Sequence, residues 1–280
     1  MKIIHSISEI QQLSRDLAQE GKRIGFVPTM GFLHEGHLSL VNVAKQHSDV
    51  VVMSIFVNPT QFGPNEDYDS YPRDAERDQK LAAERGVDYL WMPEVSQMYP
   101  KGEQTKVVVT ELTRGLCGPF RPGHFMGVTT IVAKLFSALQ PQIAVFGEKD
   151  YQQLQVIRRM AKDLLMPIEI IGVPTLRDED GLAKSSRNVY LNEEERKQVL
   201  YISQAIKAVQ QAVKKGEKQV QKLLSLGKDI LAQAPDLQLE YLEIVDAENL
   251  QKLEVIQRPA RVLIAAYVNH KRFIDNGALT

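Results

Sequence analysis

The sequence predicts an α/β fold: a parallel sheet covered on both faces by helices, followed by a smaller α+β domain. Two observations carry this. Over the first 175 residues, short apolar runs rich in β-branched side chains alternate with stretches of helical length, the pattern of parallel strands buried on both sides. After Pro174 the order changes to two helical stretches followed by two strand-like ones. The expected division is therefore 1–175 and 176–280.

In chain order, Ile24–Val27 is a first strand, followed by a helix over Leu38–His47 and a long apolar strand over Val50–Val57. A charged helix over Arg73–Arg85 leads to a short strand at Val87–Trp91. Helical pattern returns at Val128–Leu139, then strand Ile143–Phe146, helix Tyr151–Leu165 and strand Ile168–Val173. In the second part a long helix spans Asn192–Lys215, with Glu193, Glu194 and Glu195 in the first turn, where the helix dipole favours acids. A second helix covers Lys218–Gln233, and Leu239–Val245 and Arg261–Val268 are strand-like.

Composition narrows the function. With 34 basic and 35 acidic side chains the net charge is −1, and no basic stripe for nucleic acid is present. The single Cys117 excludes an internal disulfide framework and fits a reducing compartment. Residues Met1 to Ser6 lack an apolar core of signal-peptide length, and no stretch approaches the roughly 20 apolar residues of a membrane span. A cytoplasmic protein without nucleic-acid or membrane partners is expected.

The most informative segment is Pro28 to His37, PTMGFLHEGH, between a strand and a helix. The N–H groups of a helix's first turn have no intrahelical partner and carry partial positive charge. Two imidazoles, His34 and His37, at that place make a donor cluster suited to a phosphate chain. A zinc-protease motif needs its histidines four apart, and these are three apart, with no third ligand at recognisable spacing. Gly31 and Gly36 are expected to let backbone approach a ligand closely.

Three further clusters follow predicted strands or the interdomain turn: Asn58 to Asn65, Gly147 to Gln153 and Lys184 to Asn188. Singly each has an ordinary reading: Lys149 as a surface lysine, Gln61 and Gln153 as plain polar residues, Ser185-Ser186-Arg187 as a helix cap. A parallel sheet, however, brings them to one crevice beyond the strands' carboxyl ends. Arg121 to His124 reads as a mobile loop of cationic character.

The stretches PTMGFLHEGH, FVNPTQFGPNEDYDSYPRD, RPGHFMGV, FGEKDYQQ and GVPTLRDEDGLAKSSRNVYL together resemble the pantothenate synthetase (pantoate–β-alanine ligase) family, over essentially the whole chain. H-x-G-H alone marks the nucleotidyltransferase superfamily. The resemblance implies a Rossmann-like N-terminal domain, a smaller C-terminal lid and a homodimer. It also implies a reaction of ATP, pantoate and β-alanine, with magnesium, giving pantothenate, AMP and pyrophosphate through a pantoyl adenylate. Carried over residue by residue, it assigns His34, His37 and Lys149 to catalysis, with His37 the stronger candidate for proton donation to the leaving group. Met30, His34, Gly36, His37, Gly147, Lys149, Asp150, Leu176, Lys184, Ser185, Ser186 and Arg187 are assigned to ATP. Met30, Asn58, Gln61 and Gln153 are assigned to pantoate or β-alanine, with Met30 and Phe62 as apolar walls. No dedicated metal ligands are implied; magnesium would arrive with ATP, near Asp150. Two positions depart from the family pattern: Phe32, where a smaller residue is common, and Lys184, usually apolar. Lys184 either reaches the phosphates or faces solvent, and the second is favoured. A different nucleotidyltransferase and a non-catalytic nucleotide sensor are the alternatives.

Overall fold

The computed structural model describes residues 1–64 and 66–279. Asn65, at the end of the second cluster, lies outside the described residues. The large unit opens with β1 (Lys2–Ile4) and α1 (Ile7–Gln19), followed by β2 (Ile24–Thr29), α2 (Glu35–His47), β3 (Val50–Ile55), α3 (Ala75–Arg85) and β4 (Tyr89–Trp91). Two single-turn helices, α4 (Val95–Met98) and α5 (Cys117–Phe120), precede α6 (His124–Leu139), β5 (Ile143–Gly147), α7 (Tyr151–Asp163) and β6 (Glu169–Val173). The small unit comprises α8 (Glu193–Lys214), α9 (Val220–Leu231), β7 (Leu237–Asp246), β8 (Ala260–Val268) and β9 (Lys271–Ala278).

The first six strands form one parallel sheet in the order β1-β4-β3-β2-β5-β6, and the last three an antiparallel sheet β7-β8-β9. The parallel sheet with flanking helices and the separate small sheet are as expected; β1, α1 and β9 were not. The strand at Val50 ends at Ile55 rather than Val57, because Asn58 begins a 3₁₀ turn at Pro59–Gln61. α6 begins four residues earlier than expected, at His124, and α2 three residues earlier than expected, at Glu35.

Alternation along the central strands explains the layers. Phe26, Val52, Ala144 and Phe146 face α1, α6 and α7, whereas Val27, Val51, Met53, Ile143 and Val145 face α2 and α3. Burying each of the Phe, Val, Ile and Met side chains among these stabilises the fold by about 1.5–3 kcal/mol. The small sheet is also covered on both sides. Val262, Ile264 and Ala266 pack against α8 and α9, while Leu263 and Ala265 join the core of the large unit.

Chain direction fixes where a site can form. From β2 the chain moves outward to β3 and β4 on one side, then returns to lay β5 on the other side of β2. A crevice therefore opens between the carboxyl ends of β2 and β5, the switch point at which such sheets bind ligands. α6 passes so close to the turn after β3 that a Cβ on Gly127 would lie 2.4 Å from Thr60 O and 2.7 Å from Gln61 N. Gly127→Ala is expected to lower unfolding free energy by about 1–3 kcal/mol in urea titrations; an unchanged midpoint would show that the helix can retreat without cost.

Candidate active site

The loop after β2 turns through Gly31 (φ 81°) and Phe32 (φ 49°), both in the left-handed region. It is held from below by Asp78 of α3, 1% exposed, whose carboxylate accepts the N–H groups of Phe32 and Leu33, both at 2.7 Å. Burial raises the Asp78 pKa, against those two hydrogen bonds. A Cβ on Gly31 would meet Ile55 Cγ2 at 2.9 Å and Asp78 Oδ2 at 3.0 Å. A Cβ on Gly36 would meet the His34 ring at 2.8 Å. These glycines thus make room for the protein's own groups, rather than only for a ligand's approach.

His34 is the N-cap of α2, and its Nδ1 accepts the N–H of Gly36 at 3.1 Å. His37, three residues on, returns the favour: its Nδ1 accepts the N–H of His34 at 3.4 Å. A capping box normally uses Ser or Thr with Glu; here two imidazoles fill both places. Backbone N–H only donates, so each Nδ1 is unprotonated and each ring carries its proton on Nε2. The rings stack with centroids 4.0 Å apart. Burial, then Lys149, lowers the His34 pKa to about 4; burial, then His34, lowers that of His37 to about 3. Both rings are therefore neutral N–H donors at neutral pH. That bears on His37 as a proton donor: an imidazolium is disfavoured there, and the proton it offers is a hydrogen-bonding one.

Every residue expected at the site lines one cleft. Met30, His34, Gly36 and His37 come from the β2 loop and α2, and Asn58 and Gln61 from the turn after β3. Gly147, Lys149, Asp150 and Gln153 follow β5, and Leu176 follows β6, with Lys184, Ser185, Ser186 and Arg187 on the segment returning over the cleft. Their side chains are not equally free. Asn58 is buried: its Nδ2 donates to Gln61 Oε1 (3.0 Å) and Gly127 O (3.1 Å), and its Oδ1 accepts the Tyr99 hydroxyl (2.6 Å). It therefore orients Gln61, whose Nε2 lies 3.1 Å from Met30 Sδ. Gln152 is likewise consumed, bonding the backbone of Leu112, Gly115 and Cys117. The Gln153 carboxamide lines the cleft with no hydrogen-bond partner among the described residues.

Among the described residues four cations line the cleft: Arg121, Lys149, Lys184 and Arg187. Arg187 makes a bidentate pair with Asp67 (2.7 and 2.8 Å), and Lys184 pairs with Asp178, which also holds Arg196. Lys149 has the loosest partner, Asp150 at 3.4 Å. Confinement in the cleft opposes ionisation of Asp150, whose side chain is nonetheless 46% exposed, and Lys149 and Arg187 hold its pKa below the usual value.

The Arg121–His124 segment differs from the mobile cationic loop expected. Arg121 is paired with Glu66, and its Nη1 lies 3.0 Å from His124 Nε2. A guanidinium only donates, so His124 carries its proton on Nδ1, which donates to Gln61 O at 2.8 Å. Burial, then Arg121, lowers the His124 pKa to about 4, so the ring adds no charge. The segment braces the Gln61 turn. Asp78, Tyr71 and the apolar α6 residues Val128, Ile131, Val132 and Leu135 are contributors that sequence reading missed. The spacing of the α6 residues at i, i+3, i+4 and i+7 signals a buried face, but not which surface it covers.

A parallel sheet with the His34–His37 loop at its switch point is the α/β arrangement that binds a ligand beyond the carboxyl ends of its strands. The family model for pantoate-beta-alanine ligase matches residues 2–278. Pantothenate synthetase of Thermosipho africanus is 50% identical over 276 residues, spanning 99% of each chain. The crystal structure of the pantothenate synthetase from Thermus thermophilus superposes with a TM-score of 0.94 at 47% identity, covering 99% of each chain. A Francisella tularensis pantoate-beta-alanine ligase, complexed with beta-gamma ATP and beta-alanine, gives a TM-score of 0.80 at 34% identity over 99% of this chain and 97% of its own. The chain belongs to the pantoate–β-alanine ligase family.

Two outcomes follow from the site. In NMR titrations of the ligand-free protein, His34 and His37 should remain neutral at pH 5; either ring titrating near 6.5 would contradict the double cap. Below 6.5 unfolded imidazoles bind protons that the folded rings refuse until about 4 and 3, so stability contributed by these rings falls with pH through that window. Because the Lys184 ammonium is held by Asp178, Lys184→Met should change the KM for ATP by less than about threefold even at low salt; a larger change would show that the lysine turns to the nucleotide.

Proposed function

We propose that this enzyme joins pantoate to β-alanine in two steps, through a pantoyl adenylate, with ATP as the activating substrate. The observation that carries this reading is one cleft lined together by the His34–His37 loop and Lys149, by the carboxamides of Gln61 and Gln153, and by an apolar face of α6. In the first step the pantoate carboxylate attacks the α-phosphorus of ATP and pyrophosphate leaves. In the second the β-alanine amine attacks the acyl carbon, AMP leaves and the amide forms.

The residues divide the work by type. The Nε2–H groups of His34 and His37 donate to the phosphate chain without a like-charge cost to Lys149. Lys149 neutralises charge that grows on the departing pyrophosphate, an effect usually worth several kcal/mol in a positioned site. Ser185, Ser186 and Arg187 close over the phosphates, with Arg187 exchanging Asp67 for phosphate oxygen. Gly147 and Leu176 border the nucleotide; a Cβ built on Gly147 meets nothing within 4 Å. Gln61 and Gln153 present amides to the hydroxyls and carboxylate of pantoate, and Met30, Phe62 and α6 receive its geminal methyls.

Magnesium carried by the triphosphate would supply further charge neutralisation. It would arrive with the nucleotide, and Asp150 is the residue that would lie near it. The same reading takes 1–175 as the nucleotide and pantoate unit and 176–280 as its cover, a homodimer as the assembly and the cytoplasm as the setting. Among the described residues no helix is long and apolar enough to cross a membrane.

Exchange of labelled pyrophosphate into ATP should require pantoate and proceed without β-alanine. Pantoate-independent exchange, or release of ADP, would defeat the adenylate route. His37→Ala and Lys149→Ala should each slow exchange roughly a hundredfold or more; wild-type rates in either would remove that residue from the mechanism.

A further inference from the structure

We propose that Asn276, on β9 of the small sheet, is a positioning residue for Lys149, so that the second unit sets the geometry of the first half-reaction. The inference rests on the role given above to Lys149. Lys149 sits in the single 3₁₀ turn Glu148–Asp150 between β5 and α7. A turn this short leaves backbone carbonyls that need donors from elsewhere. Asn276 supplies them: its Nδ2 donates to Glu148 O at 2.9 Å and to Lys149 O at 2.8 Å. Its Oδ1 accepts Arg261 Nε at 2.6 Å, which fixes which way the carboxamide faces.

Arg261 closes the clasp. Its Nη2 pairs with Glu148 Oε2 at 2.8 Å, and its guanidinium lies 3.7 Å from the centroid of the Tyr151 ring at the start of α7. Asn276 and Arg261 are 3% and 7% exposed, so neither bond competes with bulk water. Donation to two successive carbonyls uses both N–H bonds of one carboxamide, and a carboxylate of the same shape can make neither. The lysine stem is long and flexible, so its ammonium is placed only as well as its backbone is. Misplacement of about 1 Å in a reacting group costs on the order of a hundredfold. Asn276 itself lies behind the turn, among the residues walling a small cavity with Lys149, Asp150 and Gln153. It reaches the chemistry through Lys149.

The test is a double-mutant cycle read by pantoate-dependent pyrophosphate exchange, with thermal melting of each variant. Asn276→Asp should lower exchange turnover about tenfold or more while the KM for ATP moves less than about threefold. In a Lys149→Ala background the same substitution should change the residual rate less than about twofold, because what it positions is gone. Glu148→Gln loosens the same clasp at a side chain that is 26% exposed and keeps its shape, with little risk to folding. It should show the same background dependence at a smaller size, about threefold. Equal losses in both backgrounds would mean a purely structural role and overturn the proposal, as would wild-type exchange in Asn276→Asp or, should that variant not fold, in Glu148→Gln. Normal exchange in Lys149→Ala would instead remove the premise about Lys149, and is distinguished from the other failures by that single variant alone.

Discussion

The first turn of α2 must find acceptors for its exposed N–H groups, and much of the site depends on how that requirement is met. Using imidazole Nδ1 atoms as the acceptors fixes ring orientation, tautomer and charge together. It leaves an Nε2–H as the remaining polar atom of each ring. The neighbours then have little freedom. Gly36 must lack a Cβ because the His34 ring occupies that space, and the loop that delivers His34 needs Asp78 for its own N–H groups. A cap built from serine and glutamate would hold the helix as well, but would offer a ligand far less.

Electrostatically the cleft is more restrained than its count of basic residues implies. The three histidines around it are neutral for the same first reason, burial, although His124 uses the opposite tautomer from the other two. Three of the four cations are tied closely to carboxylates. The free protein thereby avoids a concentration of unpaired positive charge, which would repel itself and weaken the compact state.

Much of the fold was legible because its signals are local. β-Branched runs flanked by helical periods specify a parallel sheet, and the sheet specifies where loops converge, which is why clusters far apart in sequence line one cleft. What escaped notice escaped for physical reasons. β1 is three residues long, too short for a pattern, although Ser6 and Glu9 form a capping box that marks the start of α1. β9 reads KRFIDNGA and looks like a polar loop, because Asp275 and Asn276 are buried to serve partners in other segments: Arg177 for one, the Lys149 turn for the other. Asp78 looks like one more charge on a charged helix, and only tertiary structure turns it inward beneath the histidine loop. Hydrogen bonding between segments distant in sequence leaves no periodic trace.

The small sheet is covered on both sides, and one of those covers is the large unit itself. Tyr241, Val245, Leu263 and Ala265 belong to the same apolar cluster as Phe136 and Ile157. A polypeptide severed between the two units would leave that inner sheet face wet, along with its matching surface on the other fragment. The shared face ties the two units together: they should melt in one cooperative transition, and fragments made separately should aggregate or seek each other. The small unit thus has two cores, one of its own beneath α8 and α9 and one that it shares with the chain preceding it.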